Sequence, residues 1–100
     1  MFGSKEFIAK AKELVADYAN KHLDKSDNKE ITTNDVYIVW FSYTLGNQKA
    51  LASTTLFDGM YYEITFDRDM RAIYFDAYKK FENQKIEIPE SVVYGAPKEE

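Results

Sequence analysis

The residues best placed to do chemistry are oxygen-bearing side chains in DKSDNKEITTND, residues 24–35. Taken as a twelve-residue loop, this stretch puts Asp24, Ser26, Asn28, Glu30, Thr32 and Asp35 at the ligand positions of an EF-hand calcium site, with Ile31 at the eighth. Two features count against calcium. Lys29 stands where the sharp turn wants glycine, and Asp35 has a shorter reach than the usual bidentate glutamate. A strand pattern, not a second helix, comes after the loop. The loop therefore reads as a polar helix-to-strand link built from turn-forming residues, and no metal is expected. His22 is the only histidine. It falls near the end of a helical pattern with no serine or cysteine motif around it, so it reads as a terminal residue favoured by the helix dipole. Glu63 and Asp76 could do acid–base work only if a pocket forced them together. On a sheet face they read as solvated carboxylates.

Composition narrows the classes further. One hundred residues with 45% hydrophobic and 16% aromatic content describe one small globular domain with a real core. A net charge of -4 does not supply the clustered cations of a nucleic-acid footprint. With no cysteine, thiolate metal sites, disulfides and cysteine nucleophiles are ruled out. The four glycines, at 3, 46, 59 and 95, are too scattered for a phosphate loop. No apolar run has the length of a membrane span, and the first residues lack a secretory apolar core. The expectation is a cytoplasmic protein that is not an enzyme, needs no cofactor, and has neither nucleic acid nor membrane as a partner.

Residues 4–23 carry helical periodicity, with Phe7, Ala11, Leu14 and Tyr18 on one stripe that Ile8, Val15 and Ala19 widen. Ser4 is the expected N-cap, and Glu6 with Lys10 and Asp17 with Lys21 are expected pairs. Four strand patterns come next, at 35–45, 49–57, 60–66 and 71–78, rich in β-branched and aromatic residues. GNQ, Asp58-Gly59 and DRDM punctuate them. Short links predict an antiparallel meander. The fold class is α+β: an N-terminal amphipathic helix packed on one face of a four-stranded antiparallel meander sheet. A single domain is expected over 1–88, with a fourth strand reaching roughly Phe81. Residues 89–100 are expected to form a partly disordered tail in which Val92, Val93 and Tyr94 could dock.

One helix covers one face of a sheet. In the first strand, Val36, Ile38 and Trp40 alternate with Tyr37, Val39, Phe41 and Tyr43, so both faces are apolar and both expect cover. The expected interaction surface is thus Tyr37, Phe41, Tyr43, Tyr61, Glu63 and Tyr74, used in a homodimer or against another protein. The alternatives are burial of that face by the chain's own C-terminal segment around IEIPESVVY, and a small-ligand site with tyrosine hydroxyls and Glu63 or Asp76 as its polar contacts.

The blocks NDVYIVW, KALASTT, DGMYYEITF and YFDAYKKFEN resemble a family of short uncharacterised phage and prophage proteins of Gram-positive bacteria, catalogued as a domain of unknown function. The resemblance runs from the first helix to about Asn83. It implies an accessory protein in the bacterial host cytoplasm that binds a host factor, such as a defence system, and it transfers no functional residues.

Overall fold

The computed structural model describes residues 2–23 and 30–93. Helix α1 spans Ser4–Lys21, and strands β1 Val36–Thr44, β2 Asn47–Thr54, β3 Met60–Asp67 and β4 Ala72–Lys79 come after it. A 3-10 turn, Thr33–Asp35, introduces β1, and a single helical turn, α2, occupies Glu90–Val93. The strands form one antiparallel sheet in the order β1-β2-β3-β4, with α1 across one face. This is the α+β meander that the sequence patterns predict.

The helix starts one residue earlier than its cap was expected. Gly3, not Ser4, is the N-cap, and its amide donates to Glu6 Oε1 at 2.9 Å. With Glu6 committed there, Lys10 pairs with Glu13 at 3.3 Å instead. Phe7, Ala11, Val15, Ala16 and Ala19 are the buried face of α1. They share the core with Val36, Ala50, Ala52, Tyr62 and Ile64 from the sheet. Alanines on both sides let the helix lie close to β2, and larger rings close the two ends. Phe2, Phe7, Phe41 and Phe66 gather at one end; Tyr18, Tyr62 and Phe75 gather at the other. Each large side chain taken out of water contributes about 1.5–3 kcal/mol.

The first hairpin turns on Leu45 and Gly46, both at positive φ (52° and 83°), as a two-residue turn of this hand demands. The second link is longer than the Asp58-Gly59 dipeptide predicted. β2 ends at Thr54, and residues 55–59 bend before β3, with Thr54 Oγ1 accepting from Leu56 N. The third link is held by Asp67 Oδ1, which accepts from the amides of Asp69 and Met70. It also meets the first hairpin, because Arg68 N donates to Asn47 Oδ1 at 2.9 Å.

The link from α1 to β1 is anchored by Asn20. Its side chain accepts from Ile31 N and donates to Ile31 O, both at 2.8 Å, so the buried Ile31 is fixed against the helix end. β4 stops at Lys79, with one further rung from Lys80 N to Gly59 O at 2.7 Å, rather than running to Phe81. From there the chain continues as an exposed segment to Pro89. Val92 does not dock, being two-thirds exposed, and Tyr94 lies outside the described residues.

Candidate functional site

The sheet face away from α1 is set by a register shift in β1. Ile38 pairs with Ala52, but Trp40 pairs with Leu51, leaving Val39 as the extra residue of a β-bulge. One inserted residue reverses the alternation downstream. Trp40 therefore leaves the helix side, where strict alternation placed it, and joins Tyr37 on the open face. Phe41 and Tyr43 make the opposite move. Phe41 pairs with the buried Ala50, and its ring lies 6.0 Å from that of Phe7; Tyr43 pairs with the buried Gln48. Of the six residues expected on the open face, Tyr37, Tyr61, Glu63 and Tyr74 lie there, and Phe41 and Tyr43 face the helix side.

The open face is built from cross-strand rows. Ser42, Lys49, Thr65 and Tyr74 form one; Trp40, Leu51, Glu63 and Asp76 form the next. Tyr37 pairs with Ser53, and Tyr61 with Tyr78, at the far end. Five large aromatic side chains thus share one face without a covering element among the described residues. Tyr37 and Tyr74 are about half exposed, at 48% and 47%. Sequence reasoning missed Trp40 and Tyr78. For Tyr78 the period-two pattern with Tyr74 was the available signal; for Trp40 there was none, because the bulge decides it.

The carboxylates Glu63 and Asp76 do meet, as direct cross-strand neighbours. Lys49 Nζ lies 3.6 Å from Glu63, so one of the two like charges is compensated on the face itself. The pair stands on an open sheet surface and not in a cleft, which gives neither carboxylate the enclosure that acid–base work requires.

Two hollows lie near the β2–β3 link, one on each face of the sheet. One, of about 380 Å³, opens at the β2–β3 end of the open face and is lined by Tyr37, Leu56, Phe57, Tyr61 and Lys80 among others. Its charged group is Lys80, whose ammonium lies 5.8 Å from the Tyr61 ring centroid, rather than Glu63 or Asp76. The other, of about 220 Å³, lies at the end of α1 between Tyr18, His22, Asp58, Tyr62 and Lys79. There His22 stacks on Tyr18 at 4.1 Å and places Nδ1 2.9 Å from Tyr18 O. Burial pushes the Tyr62 hydroxyl up from 10.0 to about 12, with the Asp58 carboxylate and Tyr18 adding to the rise.

The loop considered for calcium falls mainly on Asp24, Ser26 and Asn28, outside the described residues. Glu30 is exposed, and Asp35 is occupied locally, its Oδ2 accepting from Thr32 N at 2.9 Å while Thr32 Oγ1 accepts from Asn34 N. Among the described residues no three His, Cys, Asp or Glu side chains are grouped to hold a metal ion, and no helix is long and apolar enough to cross a membrane.

These features define a small α+β protein with one helix-covered sheet face and one open aromatic face. Residues 8–88 match the model of a family of unknown function, DUF6275, and the chain belongs to that family. No curated protein and no solved structure matches it.

Proposed function

We propose that this protein is a non-catalytic interaction module that works through the open sheet face, by self-association or by binding a host protein. The observation that carries this reading is the row-by-row placement of Tyr37, Trp40, Tyr61, Tyr74 and Tyr78, four of them exposed and Tyr61 half-buried, on a face without a covering element among the described residues. Aromatic residues with a hydrogen-bonding tip are the side chains interfaces favour, because they combine large apolar area with a polar end. A monomer has no reason to spread five of them over one exposed surface. The proposed setting, drawn from the resemblance to phage and prophage proteins of Gram-positive bacteria, is the cytoplasm of a host cell. There the protein would be an accessory factor acting on a host protein such as a component of a defence system.

The test is solution mass by light scattering over a concentration series, for the wild type and for Tyr37→Glu and Trp40→Glu. Self-association that is lost in folded variants supports the reading. A wild type that stays monomeric removes self-association and leaves only a heterologous partner. A second reading rests on the hollow of about 380 Å³ beside Tyr37 and Tyr61. With Lys80 as its charged group, it would take a small anionic or aromatic ligand. Tyrosine fluorescence titrated with such compounds, compared between wild type and Lys80→Ala, tests it.

A further inference from the structure

The segment that leaves β4 carries three large apolar side chains on a stretch that is exposed throughout. Phe81 is 98% exposed, and Ile86 and Ile88 are mostly exposed as well. Over 85–88 an extended chain presents Ile86 and Ile88 on one side and Lys85 and Glu87 on the other, while Phe81 falls on the side of Lys85 and Glu87. That is the pattern of a strand with one buried face. Every residue from Lys80 to Pro89 is exposed, so the segment packs on neither face of its own sheet. Between Lys80 and Ile88 there is neither glycine nor proline, and Asn83 is the one residue that favours a turn.

We infer that residues 81–88 form an arm that lies across the open sheet face of a second copy of this chain, and that the two copies exchange arms about a two-fold axis. This rests on the interaction reading above and names its partner. Area supports the exchange over a bare face-to-face pair. Four strands about 4.8 Å apart and eight residues long give the open face a footprint of roughly 500 Å². A stable interface needs about 800 Å² per partner, so the face alone falls short. An eight-residue extended arm is about 26 Å long, the length of β3 and β4, and supplies the remainder. In this arrangement Ile86 and Ile88 rest on the aromatic rows, and Lys85 and Glu87, already 3.4 Å apart, stay at the solvent side. A two-fold closes the assembly, because each copy gives one arm and receives one.

The test uses the full chain and two sets of substitutions, Ile86→Asp with Ile88→Asp on the arm and Trp40→Glu with Tyr74→Glu on the face. Circular dichroism checks that each is folded, and Tyr78→Lys replaces the face set if that set is not. By sedimentation equilibrium the wild type is expected to be a dimer, and either set alone is expected to weaken it by roughly a hundredfold. The decisive sample is the equimolar mixture. One intact arm then meets one intact face, and a heterodimer is expected at concentrations where each variant alone is monomeric. If the arm variant dimerises as well as wild type, the exchange is overturned while the open face stands as a face-to-face interface. If both variants dissociate and the mixture stays monomeric, the exchange is also overturned. A wild type that is monomeric throughout overturns both the exchange and self-association.

Discussion

Tyr62 shows how one side chain can couple this core to pH. It is 1% exposed, and desolvation raises its hydroxyl from 10.0 to about 12, with Asp58 adding to the effect. Because the folded value lies above the unfolded one, the stability is fully present below pH 10 and is lost as the pH rises through about 12. The loss is on the order of 2–3 kcal/mol. Urea denaturation at intervals from pH 9 to 12 should therefore show a steep fall for wild type and a shallower one for Tyr62→Phe. Equal slopes would mean that Tyr62 ionises in the fold as freely as it does in the unfolded chain. Gln48 is a second buried polar residue with one side unsatisfied. Its Nε2 donates to Phe2 O at 3.0 Å, and among the described residues its Oε1 has no partner. Its amide thereby ties the backbone at Phe2 to β2.

Two local devices decide how the elements meet. Leu45 sits at φ 52° in the first turn, and its side chain is 88% exposed, so it carries left-handed strain without packing in return. Asparagine tolerates that conformation and precedes Gly46 as the favoured hairpin pair. Leu45→Asn is expected to raise the melting temperature by about 4–8 °C, the equivalent of roughly 1 kcal/mol. An unchanged or lower value in a thermal scan would show that Leu45 stabilises through contacts of its own. Asn20 acts in the other direction, since its two bonds to Ile31 are what bind the β1 entry to the helix. Asn20→Ala leaves both backbone groups of a buried residue unpaired and should cost about 2–3 kcal/mol in chemical denaturation. A cost below half of that would mean water replaces the side chain there.

At the scale of the molecule, two features of the sheet have no cover among the described residues: the open aromatic face and the β1 edge. β1 contains no charged residue and no proline, and its bulge at Val39 is the one device there that discourages strand addition. A chain that meets a second copy over such a surface gains stability by mass action. Its melting temperature should then rise by roughly 3 °C for each tenfold increase in concentration. Calorimetry at low and high micromolar protein would read this directly, and a flat response would mean that the native state at those concentrations is a monomer.

The helix and the number, type and order of the strands come from the sequence, because their signals are local. Phe7, Ala11, Val15 and Ala19 recur at helical spacing, Met60, Tyr62, Ile64 and Phe66 at strand spacing, and the short links between strands favour the meander that the sheet adopts. The surplus of aromatic side chains, which implied an uncovered face, is also a property of the sequence. Which residues occupy that face was decided only by the tertiary structure. Tyr37, Tyr61, Glu63 and Tyr74 obey simple alternation. Trp40, Phe41 and Tyr43 do not, since the extra residue at Val39 exists only in the pairing of β1 with β2. The Asn20–Ile31 bridge and the departure of the chain after Lys80 are likewise relations between distant segments. Local periodicity cannot encode them, because each depends on where a second part of the chain has come to rest.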